Sequence, residues 1–151
     1  MENKIRTSVT GGIIGTAVIT LMMIIADALG MPGIDYGNML AQFTQTTPLV
    51  GWIMHFIMGI ILAFVYVYYF RDEFQGPYPI RGMIYSIIPY VVTMIMLFPM
   101  SVMGTGQNIN SPGVFIVATM VAYFAYGYVM GAITKPRPAR STTPLHPVAT
   151  S

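Results

Sequence analysis

Four long apolar segments dominate this chain of 151 residues. They cover about residues 9–29, 49–70, 82–103 and 113–133. Each holds roughly 20 residues, which is enough for an α-helix to cross a hydrocarbon core of about 30 Å. None shows the alternation of polar and apolar residues that a transmembrane barrel strand requires. Because a backbone in lipid must satisfy its own hydrogen bonds, we predict an all-α integral membrane protein, a four-helix bundle.

The composition excludes several other classes of protein. Only 8% of the residues are charged, whereas soluble domains have about 25%, so the chain could not cover a surface that faces water. The net charge of +2 is located at the ends of the apolar segments, which argues against nucleic acid as a partner. The chain contains no Cys, which excludes disulfides, thiolate catalysis and sites with Cys ligands.

The basic residues predict the orientation in the membrane. All seven of them lie before the first apolar segment, between the second and third, or after the fourth. The positive-inside rule therefore places both termini in the cytoplasm. The alternative is a signal peptide cleaved near Asp27, but the first apolar segment is longer than the apolar region of such peptides. The basic residues are Lys4, Arg6, Arg71, Arg81, Lys135, Arg137 and Arg140.

The remaining segments are short, and residues 1–134 form one transmembrane domain. Residues 30–48 begin with a turn at Met31-Pro32-Gly33, as expected for such a tripeptide. Residues 135–151 contain four prolines among small polar residues and are expected to form an extended cytoplasmic tail. After the turn, apolar residues at helical spacing predict a short amphipathic helix on the outer interface; these are Tyr36, Met39, Leu40 and Phe43.

Small residues recur every four positions and predict close helix packing, because they let two backbones approach each other. Such faces could pack inside the bundle or against another subunit, and the sequence leaves both open. The packing residues are Gly11 and Gly15 in the first segment, Gly51, Gly59 and Ala63 in the second, and Gly127 and Gly131 in the fourth.

Two ionisable residues, Asp27 and His55, lie within the apolar segments and at a similar predicted depth. A charged or polar group is costly there, so functional use is a reasonable hypothesis. An Asp–His pair could bind a proton, a quinone oxygen or a metal. The alternatives are a hydrogen bond between helices and, for Asp27, exposure at the interface.

The chain has 14 methionines, and two pairs are spaced by four residues in the outer half. Thioether groups bind Cu(I), and Met96 or Met100 could join His55 as a haem ligand. The wide spread of methionine favours simple apolar filling instead, so we assign no metal and no cofactor. Met58, Met96 and Met100 remain candidates beside Asp27 and His55.

The second segment, Leu49 to Gly59, resembles the second helix of an uncharacterised family of small four-helix bacterial membrane proteins. The similarity rests on Gly51-Trp52, His55 and Gly59. A Gly- and Thr-rich first helix, a turn at residues 30–32 and Pro99 in the third helix are also similar to this family. The resemblance covers the transmembrane part but not the tail. It implies the fold and a location in the inner membrane of a bacterial cell, and it implies no activity.

The sequence contains no nucleophile–base arrangement and no phosphate-binding loop, so we do not expect an enzyme. We expect an accessory subunit of a larger membrane complex, respiratory or otherwise involved in electron transfer, in contact with lipid and with other integral membrane subunits. The alternative function is a small transporter, or a protein that binds quinone or metal, using Asp27 and His55.

Overall fold

The computed structural model describes residues 3–31, 35–102 and 112–136, and no strand occurs in these ranges. Four of its helices are long and apolar enough to cross a membrane. The predicted all-α fold with four such helices is confirmed. Four helices of this kind suggest a multi-pass membrane protein. The predicted tail lies almost entirely outside the described residues. The helices are α1 (Lys4–Ala28), α2 (Tyr36–Thr44), α3 (Pro48–Val65, continued by a π-helix at Tyr66–Phe70), α4 (Tyr78–Val102) and α5 (Pro112–Ile133).

Caps extend the helices beyond the apolar segments. The Asn3 side chain accepts a hydrogen bond from the Arg6 backbone N at 3.1 Å, so α1 begins at Lys4. Asp35 caps α2 through the Asn38 backbone N at 2.9 Å. Pro48 is the first residue of α3, a position at which its missing N–H is no loss.

The helices lie in the order α3, α1, α5, α4 across the bundle, and α2 packs on α3. We call the end where α1 begins and α5 ends the basal end, and the opposite end, which carries α2, the distal end. At the basal end, α4 also contacts the end of α3, where Tyr85 packs between Tyr66 and Phe70.

The small residues lie on the seams inside this bundle. A Cβ on Gly12 would be 2.5 Å from the Ile60 Cα, and one on Gly15 would be 2.8 Å from the Tyr126 ring. Gly59 lies directly against Thr16. The two seams of α1 therefore depend on the absence of side chains. The other predicted packing residues are also buried in the bundle: Gly11 against Thr134, Gly51 against α2, Ala63 in the core, and Gly127 and Gly131 against α4.

Tyrosines, rather than aliphatic residues, fill much of the core. Tyr126 donates to the Gly59 carbonyl at 3.5 Å, and Tyr85 donates to the Leu62 carbonyl at 2.9 Å. Both bonds join α3 to another helix. Hydrogen bonds between membrane helices contribute about 0.6 kcal/mol on average, so these bonds add specificity to the packing more than they add stability.

A buried arginine closes the basal end. The π-helix bond from the Arg71 backbone N to the Tyr66 carbonyl is 2.7 Å. The extra residue of this turn places the Arg71 side chain, which is only 4% exposed, beneath the bundle. Its Nη1 donates to the Thr134 carbonyl at 3.1 Å, where α5 has just ended. A cation is favourable there because the last carbonyls of a helix carry partial negative charge.

A candidate ligand site around His55

His55 lies on α3 about two turns from the distal end, and its side chain points into the bundle. Its Nε2 is 3.1 Å from the Thr20 hydroxyl of α1. The Thr20 hydroxyl donates its only proton to the Thr16 carbonyl at 2.8 Å. Because that proton is committed, Thr20 can only accept from His55. The neutral imidazole therefore carries its proton on Nε2 and presents Nδ1 as an acceptor.

Three aromatic side chains surround the imidazole. The Tyr36 ring is stacked on it, with 4.8 Å between ring centroids and 4° between the planes. Trp52 and Phe56 each approach with an edge-to-face geometry at 5.8 Å. Within the ranges that the structure covers, no hydrogen bond reaches Nδ1. The imidazole thus has apolar walls and one open acceptor.

Tyr36 is the only large buried residue of α2, and it is 4% exposed. Its hydroxyl faces the Tyr123 hydroxyl of α5 but makes no hydrogen bond of good geometry within the described chain. Burial, together with Tyr123, raises the pKa of Tyr36 well above its usual value, so the phenol stays neutral. A buried hydroxyl without a partner costs about 1–3 kcal/mol.

Tyr123 connects this region to α4, since its hydroxyl lies 2.6 Å from the Thr93 hydroxyl and either atom can be the donor. Contacts that start from His55 and Tyr36 therefore reach α1 through Thr20, α5 through Tyr123 and α4 through Thr93. We define the His55 cluster as Thr20, Tyr36, His55, Thr93 and Tyr123.

Two glycines explain why Tyr36 enters the bundle. Gly51 lies against the backbone of Gly37, and its missing Cβ would be 2.8 Å from the Ala41 N. Trp52 packs on the bare face of Gly37. The backbones of α2 and α3 are thus in direct contact, and the residue before Gly37 is carried inward.

The structure places the residues predicted from the sequence in different surroundings. Asp27 is exposed, and no hydrogen bond or ion pair joins it to His55 in the described chain. Met58 and Met96 are each 52% exposed. The side chain of Met100 lies outside the described residues. Of the candidate set, only His55 belongs to the buried cluster.

The other four residues of the His55 cluster were not predicted from the sequence. Tyr36 was expected on a short helix at the outer interface; the structure has a short helix at Tyr36–Thr44, and it turns this residue inward. Thr20 belongs to the Gly- and Thr-rich first helix, which indicated close packing and a family resemblance but no ligand site. The pair of glycines, Gly37 and Gly51, was the feature that could have revealed a close contact between α2 and α3.

A concave feature elsewhere in the described chain is an apolar groove of about 580 Å³ between α1 and α5 near the distal end. Its lining includes no polar side chain, so it offers nothing with which to orient a ligand. Sites for small molecules combine apolar walls with a few placed polar groups, and the His55 cluster has both. No group of three or more His, Asp or Glu that could hold a metal occurs in the part of the chain described.

A model for a family of unknown function (DUF6789) matches residues 2–144. The comparison with curated proteins and the comparison with solved structures each gave no match. The uncharacterised family implied by the resemblance is thus supported over nearly the whole chain. The function has to be argued from the His55 cluster itself.

Proposed function

Because the chain belongs to this family of unknown function, we propose a function from its geometry: it binds a small lipid-soluble molecule by hydrogen bonds at the His55 cluster. The observation that carries this proposal is the buried imidazole, with Nε2 held by Thr20 at 3.1 Å and Nδ1 open. Polar residues inside membrane bundles are costly, and function commonly explains them.

Two neighbouring groups support a ligand better than a purely structural role. His55 offers an acceptor, and Tyr36 offers a buried hydroxyl that faces Tyr123 without a hydrogen bond of good geometry in the described chain. Buried polar groups are usually paired, so a group without a partner calls for an explanation. A bound molecule that supplies one donor or one acceptor accounts for either group.

The same geometry favours binding over catalysis. A threonine beside a histidine resembles a nucleophile with its base. Here the Thr20 proton goes to the Thr16 carbonyl, so His55 is not positioned to accept it. We therefore keep the proposal of a protein that is not an enzyme.

A second candidate function is the accessory subunit, in a respiratory or other electron-transfer complex. The observation that favours it is that other helices cover little of α4. In the apolar part of α4, 22% of the residues are buried inside the bundle, against 39% in α1 and in α5. The outward face of α4 is a stripe of β-branched residues, which another integral membrane subunit could cover: Ile80, Ile84, Ile88, Val91 and Ile95.

Mass spectrometry of the complex released by a mild detergent tests both candidates. We expect the wild-type chain to retain a small molecule. His55→Phe keeps a ring but removes both nitrogens, and we expect it to retain at least about tenfold less of this molecule, because the loss of one hydrogen bond weakens affinity by about that factor. Met58→Leu, an exposed change on the same helix, is the control. Equal retention by His55→Phe contradicts the ligand proposal, and stoichiometric partner subunits without a small molecule favour the accessory role.

We also propose that the basal end faces the cytoplasm of a bacterial cell, across its inner membrane. The support is the distribution of basic residues, since every Lys and Arg in the described ranges lies at the basal end, although Asp72 and Glu73 also lie there. Basic residues are retained on the cytoplasmic side during insertion.

Labelling of single cysteines tests this orientation, because the natural chain has none. Gln42 in α2 and Gln75 between α3 and α4 are both exposed. In intact spheroplasts we expect an impermeant maleimide to label Gln42→Cys fully and to label Gln75→Cys only after lysis. The reverse pattern would contradict the proposed orientation.

A further inference from the structure

The apolar groove between α1 and α5 shares no residue with the His55 cluster. We propose that this groove binds an acyl chain of one phospholipid, which belongs to the membrane leaflet at the distal end. The lipid site lies outside the His55 cluster and does not depend on the function proposed for it.

The groove has the length and the direction of an acyl chain in one leaflet. Its lining on α5 extends from Gly113 to Val121, and its lining on α1 extends from Met22 toward the distal end. At 1.5 Å per residue the α5 part is about 12 Å long, whereas half of the hydrocarbon core is about 15 Å thick. Since both helices are long and apolar enough to cross the membrane, a groove between them runs along the membrane normal, as lipid chains do.

The walls of the groove suit hydrocarbon. All of its lining side chains are apolar, around a volume of about 580 Å³. The small residues Ala26 and Ala118 leave room between the helices, while Met22 and Met31 have flexible thioether side chains that adapt to an irregular partner. A polar molecule would leave its hydrogen-bonding groups unpaired there, at a cost that a hydrocarbon chain does not have.

The groove differs from the other lipid-facing surfaces because it is concave. A hydrocarbon chain inside it contacts α1 and α5 together, and dispersion attraction increases with the number of carbon atoms in contact. An α-helix of another subunit is about 10–12 Å wide, about as wide as the 8–10 Å between the axes of two packed helices. Such a helix would rest on α1 and α5, whereas a single acyl chain is narrow enough to lie between them.

Photochemical labelling tests this site in the full-length protein, purified in a mild detergent. The reagent is a phosphatidylcholine with a diazirine in its acyl chain, added in equal molar amount, and mass spectrometry of peptides locates the adducts. Val117 lines the groove and is 55% exposed; Ile53 does not line it and is 52% exposed, and each lies five residues after the first residue of its helix. We expect at least about fivefold more adduct at Val117, a ratio that corresponds to about 1 kcal/mol. Equal adduct at the two positions would overturn the inference.

A variant that fills the groove tests the position of the lipid. Ala118→Phe places a ring in the groove, and we expect the adduct at Val117 to fall to the level at Ile53. Ile57→Phe, an exposed change on α3, is the control and should leave the labelling of Val117 unchanged. Val121→Phe, at the inner end of the groove, replaces Ala118→Phe if that variant does not fold. Undiminished labelling of Val117 in a groove filled in this way contradicts the proposed position.

Mass spectrometry of the protein released from the membrane by a mild detergent identifies the natural occupant. We expect a phospholipid that is lost with Ala118→Phe and retained with His55→Phe, because the two sites are separate. The absence of such a phospholipid, or the loss of a protein subunit or an isoprenoid molecule in its place, would overturn the assignment. A molecule lost only with His55→Phe belongs to the function proposed above, so failure at one site is distinguishable from failure at the other.

Discussion

Gly127→Ala is expected to destabilise the bundle by about 3 kcal/mol, at the upper end of the usual cost of overpacking. A Cβ at this position would lie 2.7 Å from the Ser86 Cβ and 2.8 Å from the Gly82 carbonyl carbon. The second of these atoms belongs to the backbone of α4, so no rotation of a side chain can relieve the contact. The two helices would have to separate along their seam, and the packing on either side of it would be lost.

Gly113→Ala in the same helix is the matched control. Nothing lies within 4 Å of a Cβ at this position, and alanine is a better helix former than glycine by up to about 1 kcal/mol. We expect its stability to equal or slightly exceed that of the natural chain. Both variants are compared by unfolding in mixed micelles of a mild and a denaturing detergent. Equal midpoints for the two would show that the α4–α5 seam is not as close as described.

Arg71→Met is expected to cost about 1.5–3 kcal/mol, the range for hydrogen bonds made by a charged group. The methionine preserves most of the apolar stem but removes the guanidinium, which donates to the Thr134 carbonyl at 3.1 Å. The end of α5 then loses its cation and its link to α3. Unfolding of the purified chain, followed by circular dichroism, measures the change.

The control for this variant is Arg6→Met, which removes the same charge from the same end of the bundle. Arg6 is exposed, and exposed charges contribute little to stability, so we expect a change below about 0.5 kcal/mol. Arg71→Lys should fall between the two, because an ammonium group retains the charge but not the fork of donors. If both methionine variants lose the same stability, the effect belongs to net charge and not to the buried contact.

The four spans were predictable because length and apolarity leave a backbone in lipid few choices. The spacing of the small residues also indicated close helix packing, but it did not indicate which helix each small-residue face packs against. A stripe of glycines looks the same whether it meets a helix of its own chain or of another. Only the structure shows Gly12 and Gly59 facing each other across α1 and α3.

The contents of the candidate site were less predictable. His55 was recognisable as a polar residue in an apolar segment. Tyr36 was not, because the spacing of an amphipathic helix is the same at a lipid interface and at a protein interior, and both environments bury an apolar face. The exposed side chains of Met58 and Met96 show the converse error, since pairing along a sequence does not determine the direction in which a side chain points.

Arg71 illustrates a third limit. Its sequence context, at the end of an apolar segment, indicates a residue that marks membrane orientation. The π-helix adds one residue to the last turn of α3 and rotates this side chain beneath the bundle. Nothing in the residue types from Tyr66 to Phe70 foretells the extra residue, because it depends on how α3 meets α4 and α5.

The chain has one tryptophan, and the packing of α2 places it where it is most informative. The indole of Trp52 lies on the bare face of Gly37 and beside the imidazole. Its emission maximum depends on the polarity around the ring. The protein therefore carries its own optical reporter between α2 and His55, and a change in the position of α2 or in the surroundings of the imidazole is expected to shift the emission maximum of Trp52.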